Sequence, residues 1–390
     1  MPKTPIKIAA ILQLENSHGQ AILQGIGQFA REHPGAHVVK FSKTGPLTER
    51  FLRGLGVRGV IAKVSSRAEE DLLNRLRMPV VNVSGEVATP RLATVNTDDR
   101  LLGATVAGYF QQRGFRHVAY CGNETHLASV LRREGLGAQA KRLGLGCQAH
   151  VLQREPETAL KPGRARRALA AWLKRLPHPV GILAFNDLVA HELVVSCDLC
   201  GLRVPEDVAV IGVGNDLTRL GFSAISLSSI ELDTRRIGYQ AAELLFTRLT
   251  GKRLAPVEEL VPLEKIVTRR SSDRFAIDDE TVARALEHIR DHVGNTLYVA
   301  DIARAAACAP RTLALRFRKA LNTSIYAQVQ RLRLDRAAEL LTNPKLSVTE
   351  IAYATGHEDA RHLSIAFKRH YGVPPGKYRR KKLSGSRSAR

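Results

Sequence analysis

The side chains whose types and spacing point most directly to chemistry are the basic residues in the C-terminal third of the chain. Between residues 275 and 390 there are 21 Lys and Arg side chains against 11 Asp and Glu. The whole chain of 390 residues carries a formal charge of +22, and its last third is about twice as positive per residue as the rest. Such a density of cations favours a polyanionic partner, most often nucleic acid and less often an anionic membrane.

An internal repeat indicates which elements present these charges. Segments that start at residues 297 and 346 align at an offset of 49, with one extra residue in the second copy before its last helix. Each copy is typical of a short helix, a tight turn and a second helix; Gly356 suits the second turn. Ser347 and Glu350 form a capping box, and Pro310 can occupy the first turn of a helix. The aligned pairs include Leu297 with Leu346, Ile302 with Ile351, Leu313 with Leu363, and Phe317 with Phe367.

Residues 280–380 resemble an AraC-type DNA-binding domain. The resemblance rests on RLRLDRAAELL and on LSVTEIAYATGHEDARHLSIAFKRHYGVPPGKYR. In that family the second helix of each unit enters the major groove, on successive turns of one face of the DNA. The resemblance implies recognition helices at about 310–319 and 360–370, and double-stranded operator DNA as the partner.

Polar side chains on these two helices are candidates for base and phosphate contacts. An arginine that pairs with guanine contributes about 1–3 kcal/mol of discrimination, whereas phosphate contacts position a protein without reading sequence. Any single one of them can instead be a solvated surface charge. Leu315 and Ile365 replace residues that are commonly polar, and they either touch thymine methyl groups or pack internally. The candidate base readers are Arg311, Thr312, Arg361 and His362, and the candidate phosphate contacts are Arg316, Arg318, Lys368 and Arg369.

Residues 1–270 alternate short apolar runs with amphipathic stretches. Runs such as IKIAAILQL, PVVNV, VGILAFN and VAVIGV are typical of buried parallel strands, and the order predicts doubly wound α/β sheets. The length favours two α/β lobes with a cleft between them, where ligands bind outside the carboxyl ends of strands. We therefore expect an effector domain at 1–270, a linker at 271–280, an all-α double helix-turn-helix domain at 281–380, and a basic disordered tail at 381–390.

The first 270 residues resemble the LacI/GalR-type sugar-binding fold, which is a two-lobed, periplasmic-binding-protein-like architecture. The matching motifs are VNTDDRLLGATVAGYFQQRGFRHVAYCG, RREG, FNDLVAHELVVSCDLCGLRVPEDVAVIGVGND and LSSIELDTRRIGYQAAELL. The fusion of this fold to a C-terminal AraC-type domain is the domain order of the xylose operon regulator family. The resemblance implies a sugar site formed by Asp98, Arg132, Asn186, Asp187 and Asn215.

Other roles are open for some of these residues, and two positions depart from the family pattern. Asp98 can cap its helix, and so can the pair Asn186–Asp187. Gly214 stands where a ligand-binding carboxylate is usual, and Gln20 stands where xylose regulators resemble one another in having Arg. Each lost charged hydrogen bond weakens binding by about 1.5–3 kcal/mol. These departures argue against D-xylose and leave open another sugar or a cleft that has decayed into scaffold.

Motifs for other classes of function are absent from the sequence. There is no nucleophile elbow, phosphate-binding loop or zinc-protease motif, so we expect neither an enzyme nor a cofactor. Cys197 and Cys200 supply only two thiolates, whereas a structural zinc site needs four ligands. The five scattered cysteines and the strand-like N-terminus predict a cytoplasmic protein. We expect a homodimeric transcription activator that contacts RNA polymerase and responds to a sugar, with a ligand-independent DNA-binding regulator as the alternative.

Overall fold

The protein divides into two compact units. The first contains Met1–Gln111 and Phe115–Arg274, and the second contains Gln112–Gly114 and Phe275–Arg390. The computed structural model describes residues 5–76, 78–87, 91–152, 162–216, 223–251, 258–276, 279–321, 323–341 and 346–384.

Strands and helices alternate throughout the first unit, as their sequence patterns predict. Strand segments such as VAVIGV are apolar on both faces and fully buried, as a parallel sheet covered by helices requires. In chain order the elements are β1 (Ile6–Leu12), α1 (Ser17–Glu32), β2 (Ala36–Ser42), α2 (Glu49–Gly54), β3 (Gly59–Ala62), α3 (Arg67–Arg75), β4 (Val80–Asn82), β5 (Ala93–Thr97), α4 (Asp99–Gln112), β6 (His117–Gly122), α5 (Leu127–Leu143), β7 (Gly146–Val151), α6 (Pro162–Arg175), β8 (Val180–Ala184), α7 (Asp187–Leu199), β9 (Val208–Val213), β10 (Ser228–Leu232), α8 (Thr234–Leu249), β11 (Glu258–Val261) and β12 (Leu263–Val267).

These elements form two lobes, each with its own six-stranded sheet. The strand order is β11-β5-β4-β3-β1-β2 in the first lobe and β12-β10-β9-β8-β6-β7 in the second. Pairing is parallel throughout both sheets, except that β12 runs antiparallel to β10. The chain passes between the lobes after β5, after β10 and after β11. This arrangement confirms the predicted two-lobed α/β fold class, because the carboxyl ends of several strands in both sheets lead into the cleft.

Helices α4 and α5 cross at backbone contact distance, and this crossing positions part of the cleft. A Cβ atom at Gly103 would lie 2.1 Å from the carbonyl oxygen of Arg132. A Cβ atom at Gly135 would lie 2.0 Å from the carbonyl oxygen of Arg100. Only glycine permits so close an approach, so the two helices hold their polar side chains in a fixed relation.

The boundary after the first unit differs from the expected linker at 271–280. Ser271 and Ser272 are fully buried. The Ser271 hydroxyl donates to the Val210 carbonyl at 2.7 Å and accepts from the Ser228 amide at 2.8 Å. Residues up to Arg274 therefore belong to the first unit, and the Ser271 hydroxyl satisfies backbone atoms of the second-lobe sheet. Of the remaining linker, 277 and 278 lie outside the described residues.

The second unit is helical in all its described elements. The helices are α9 (Glu280–Asp291), α10 (Val299–Ala305), α11 (Pro310–Leu321), α12 (Ile325–Leu340), α13 (Val348–Ala354), α14 (Ala360–Tyr371) and α15 (Pro375–Ser384). They form two cores, one among α9 to α12 and the other among α12 to α15. Leu313 and Phe317 occupy the same buried positions in the first core as Leu363 and Phe367 do in the second. Helix α15 extends to Ser384, so the start of the expected tail (381–390) is helical, while 385–390 lie outside the described residues.

Candidate functional site in the interlobe cleft and on the helical domain

A cavity of about 380 Å³ lies between the two lobes of the first unit. Its wall is formed by short segments that follow strand ends, as expected for doubly wound sheets. Both lobes contribute polar and charged side chains to it. The charged, aromatic and imidazole side chains along the wall are those of His18, Lys63, Glu86, Asp99, His126, Arg132, Phe185, Asp187 and Asp216.

A buried ion pair joins α4 to α5 at the cleft wall. The Nε of Arg132 donates to Oδ1 of Asp99 at 2.7 Å, and the two side chains are almost completely buried. The Nη1 of Arg132 donates to the Phe185 carbonyl at 2.6 Å, and its guanidinium lies 5.2 Å from the centre of the Phe185 ring. Burial raises the pKa of Asp99, while the charge of Arg132 opposes that rise. The pair therefore forms a fixed, polar wall that can both donate to and accept from ligand hydroxyl groups.

Asp187 supplies a second buried carboxylate at the start of α7. Its Oδ1 accepts from the Ser229 hydroxyl and its Oδ2 accepts from the Asp216 amide at 2.9 Å. Burial raises the pKa of Asp187, and the neighbouring Asp216 adds to that rise. A Cβ atom at Gly212 would lie 2.3 Å from Oδ1, so glycine is needed beside this carboxylate. At Gly214, whose φ is +123°, a Cβ atom would lie 3.4 Å from Oδ2 of Asp187. A carboxylate side chain at position 214 would therefore lie close to the negative charge of Asp187.

Lys63 and Glu86 form an ion pair on the first-lobe wall of the cavity. The Lys63 Nζ lies 2.7 Å from a Glu86 carboxylate oxygen and donates to Oε1 of Gln13 at 2.6 Å. The second lobe contributes the ring of His126, which is stacked on Phe185 with 5.6 Å between ring centres and has its Nδ1 3.9 Å from Oε1 of Glu86. The cleft thus combines paired charges with a flat aromatic surface, a combination that suits a small polyhydroxylated ring.

His18 lies in the first turn of α1 and faces the cavity. The residue is exposed, and it lines the cavity. Desolvation by the surrounding protein, followed by the positive charges of Arg132 and Lys63, lowers the pKa of His18 below its usual range. The imidazole is therefore neutral near pH 7 and offers one donor and one acceptor.

Hydrogen bonds connect the two lobes directly at the cavity, and one of them is a backbone bond from the Ala128 amide to the Gly85 carbonyl at 3.1 Å. The Ser17 hydroxyl, at the start of α1 in the first lobe, donates to Oδ2 of Asp216 in the second lobe at 3.0 Å. Both residues line the cavity. This contact can break only when one lobe moves away from the other. Its presence is therefore a feature of the closed arrangement of the lobes.

The residues proposed from sequence for the sugar site divide into two groups. Arg132, Asn186 and Asp187 line the cavity; Asn186 also caps α7, since its Oδ1 accepts from the Val189 amide at 2.9 Å. Asp98 and Asn215 are not among the described lining residues. Asp98 caps α4 by accepting from the Leu101 amide at 2.9 Å, and Asn215 accepts from Arg269 at 2.8 Å.

The sequence did not predict several other residues of the cavity. Asp99 lies next to the proposed Asp98, and the remaining ones lie within six residues after the end of a strand, which was the available signal. Gln20, where an arginine is usual in xylose regulators, is exposed and donates to the Leu14 carbonyl at 2.9 Å. The charged, aromatic and imidazole side chains of the cavity that were not predicted are those of His18, Lys63, Glu86, Asp99, His126, Phe185 and Asp216.

The helical domain presents two similar exposed faces, on α11 and α14. Leu313 and Phe317 bury one side of α11, and their counterparts bury the same side of α14. The opposite sides carry the proposed DNA-contacting residues, all of which are exposed. They are Arg311, Thr312, Arg316 and Arg318 on α11, and Arg361, His362, Lys368 and Arg369 on α14.

Two of these side chains have acidic neighbours within the same domain. The Nη1 of Arg316 lies 3.3 Å from Oδ1 of Asp279, the residue that caps α9. The Nδ1 of His362 lies 3.2 Å from Oδ1 of Asp359, which caps α14 and accepts from the His362 amide at 2.7 Å. Arg316 must therefore leave an ion pair to reach a phosphate, whereas His362 is oriented at the first turn of its helix.

The structure contains no candidate metal centre among the residues it describes. No group of three or more His, Cys, Asp or Glu side chains converges there in a way that could hold an ion. Cys197 is buried in the second-lobe core, which agrees with a packing role. In the part of the chain described, every helix is too short or too polar to cross a lipid bilayer.

Comparisons with known proteins match both units. Residues 107–272 match the periplasmic binding protein-like domain family, and residues 302–381 match a helix-turn-helix domain family. The xylose operon regulatory protein of Haemophilus influenzae is 26% identical over 386 residues, which cover 96% of this chain and 98% of that one. Its counterpart in Escherichia coli K12 is 26% identical over 384 residues, or 96% of each chain.

A solved structure shows the same order of folds over the whole chain. It is described as the xylose-binding transcription activator xylR, and it covers 97% of this chain and 99% of its own with a TM-score of 0.63 and 24% identity. Over almost its whole length, the chain is therefore similar to the xylose operon regulatory proteins, with a periplasmic binding protein-like domain followed by a helix-turn-helix domain. It is a DNA-binding, sugar-responsive transcription regulator and not an enzyme, as the sequence predicted.

Proposed function

We propose that this regulator responds to a neutral sugar or polyol of about monosaccharide size, bound in the interlobe cleft. The observation that carries the proposal is the convergence of polar side chains from both lobes on one cavity of about 380 Å³. Arg132 and Asp99 offer donors and acceptors side by side, and Phe185 offers an apolar face. Sugar rings require this combination of paired polar groups and one flat surface.

The charges of the cavity favour a neutral ligand over a sugar phosphate or sugar acid. Each basic side chain, Lys63 and Arg132, is already paired with a carboxylate. The carboxylate of Asp187 is held by a hydroxyl group and an amide, and Asp216 lies beside it. Among the described lining residues, four acidic side chains therefore stand against two basic ones. An anionic ligand would be repelled at close range.

The domain architecture supports an allosteric mechanism that depends on closure of the cleft. A ligand that both lobes bind stabilises the closed arrangement of the lobes, in which Ser17 contacts Asp216. We infer that closure changes the surfaces through which two copies pair, and so reorients two DNA-binding domains on adjacent half-sites. Coupling of about 1–3 kcal/mol between sugar and DNA is sufficient for such control. The regulator acts in the cytoplasm, where its operator lies, and activates transcription through contacts with RNA polymerase.

D-Xylose is one candidate among several for the effector. The relatives named above regulate xylose operons. Here Gly214 stands where a ligand-binding carboxylate is usual, and Gln20 stands where xylose regulators resemble one another in having Arg; neither supplies a charged group to the cavity. A different neutral pentose or hexose therefore fits the remaining side chains at least as well.

A thermal-shift screen of the full-length protein tests the proposal. Pentoses, hexoses, uronic acids and sugar phosphates are compared, each at the same concentration. A ligand at 100 times its Kd stabilises its domain by about 2.7 kcal/mol. We expect a clear rise with one neutral sugar and none with its phosphate or acid. A flat panel with intact DNA binding would instead favour a ligand-independent regulator.

Two adjacent carboxylates provide a matched pair of variants for the sugar found in this screen. Asp99→Asn removes a charged acceptor at the cavity, so we expect binding to weaken by about 1.5–3 kcal/mol, or at least about tenfold. Asp98→Asn keeps the cap of α4, because asparagine caps as well as aspartate. Its affinity should equal that of the wild type in calorimetric titration. The opposite ranking would place the sugar site at Asp98, as the sequence resemblance implied.

A further inference from the structure

Each recognition helix carries one exposed aliphatic side chain at the same position. Leu315 on α11 is 66% exposed and Ile365 on α14 is 60% exposed. The repeat aligns these two residues, as it aligns the buried Leu313 with Leu363. A single exposed leucine on a protein surface needs no explanation. An exposed aliphatic side chain that recurs at equivalent positions of two copies does need an explanation.

Helix geometry places both side chains directly opposite the domain core. Leu315 is two residues from both Leu313 and Phe317, which are fully buried. With 3.6 residues per turn, a position midway between two such residues points to the other side of the helix. Ile365 has the same relation to Leu363 and Phe367. These side chains therefore point directly away from the domain core, at the centre of the face that would enter a groove.

Polar and basic residues border each of these aliphatic side chains. On α11, Arg311 and Arg318 lie on one side of Leu315, and Thr312 and Lys319 lie on the other, one turn before and one turn after it. On α14 the same positions carry Arg361, Lys368, His362 and Arg369 around Ile365. An apolar group in the centre of a cationic face matches a polyanion that has an apolar group between its phosphates. In the major groove of DNA, that group is the 5-methyl of thymine.

We propose that Leu315 and Ile365 each read a thymine methyl group, one in each of the two major-groove segments that this domain contacts. The surrounding basic residues bind phosphates and fix the helix in the groove, while the aliphatic side chain selects thymine at one position. Burial of one methyl group is worth about fourfold in affinity. The operator therefore contains one critical thymine for each recognition helix.

Substitution of thymine by uracil tests this assignment, because it removes the methyl group and leaves every hydrogen-bonding group in place. Full-length protein first selects its site from random double-stranded DNA, and each thymine of that site is then replaced singly by deoxyuridine. We expect one position in each segment at which the replacement weakens binding about fourfold. The Leu315→Ala variant should lose the uracil effect in one segment only, and Ile365→Ala should lose it in the other.

The two variants act as controls for each other, and both replace exposed residues by a stronger helix former, so folding is preserved. A selected site with no thymine that is sensitive to uracil would overturn the assignment. A uracil effect that persists unchanged in both variants would also overturn the assignment. If the two variants then lost transcription activation without losing DNA affinity, that result would indicate that these side chains contact a protein partner. A selection that enriches no sequence would instead contradict sequence-specific DNA binding by this chain.

Discussion

The two helix-turn-helix copies have the same shape but are stabilised in different ways. The second copy begins with a full capping box, in which the Ser347 hydroxyl accepts from the Glu350 amide and the Glu350 carboxylate accepts from the Ser347 amide. The first copy begins at Tyr298, whose side chain makes no capping hydrogen bond. The second turn has Gly356 with φ of +70°, whereas the first places Ala307 at +52°.

Apolar packing, in contrast, stabilises the first copy more than the second. Helix α9 adds Val282, Ala285, Leu286 and Ile289 to the core of the first copy. The core of the second copy, which has fewer fully buried members, depends on α12 and on side chains such as Tyr378. The same helix-turn-helix fold can therefore be stabilised either by a larger apolar core or by local hydrogen bonds and turn geometry. The difference indicates that the second copy is the more sensitive to changes in its local backbone chemistry.

The largest effect is expected for Gly356→Ala. A left-handed backbone costs a residue with a Cβ atom about 1–2 kcal/mol. That Cβ would also lie 2.7 Å from Nη2 of Arg333, which donates to the Asn295 carbonyl at 2.8 Å. We expect a loss of at least about 2 kcal/mol in the local stability of α13 and α14, measured by hydrogen exchange of their amides in the full-length protein.

Gly372→Ala is the matched control for this substitution. Gly372 caps α14 with φ of +74°, and a Cβ atom there would meet no atom within 4 Å. This variant should show the backbone cost alone, about 1–2 kcal/mol. Equal effects of the two substitutions would show that Arg333 moves aside freely.

A smaller effect is expected for Ser347→Ala, which removes the hydroxyl half of the capping box. Loss of such a cap costs about 1 kcal/mol. The faster exchange should be confined to the amides at the start of α13, because α10 has no equivalent bond to lose. No change at α13 would mean that both copies are held by packing alone, and the contrast between them would disappear.

The smallest effect, and the only gain, is expected for Ala307→Gly. Glycine relieves the left-handed strain of the first turn but increases the entropy of the unfolded chain. The net stabilisation should be about 0.5 kcal/mol, seen as slower exchange in α10 and α11. A loss of stability would show that Ala307 contributes packing that outweighs its strain.

The helical domain could be predicted almost residue by residue. Its two helix starts at Pro310 and Ser347, the turn at Gly356 and the buried Phe317 and Phe367 all follow from local period and capping rules. The sequence analysis left the exposure of Leu315 and Ile365 open, although their place midway between two buried positions of each helix indicates it.

The cleft could be predicted only in part. The two-lobed fold and the place of the cavity follow from apolar strands in alternating order. Its individual residues do not, since they converge from segments far apart in the chain: Lys63, Asp99 and Asp216 each follow a different strand. The neighbours Asp98 and Asp99 illustrate this, because the first caps the helix and the second, one residue later, turns to Arg132.

The close crossing of α4 and α5 at Gly103 and Gly135 has a consequence for how the effector preference of this protein can be changed. Two backbones in direct contact leave no space for larger residues at these two positions, so α4 and α5 hold the Asp99–Arg132 pair as one rigid piece. The side chains after the strands, such as Lys63 and His126, lie outside this crossing. We therefore expect substitutions in those loops to alter effector preference at the least cost to the fold.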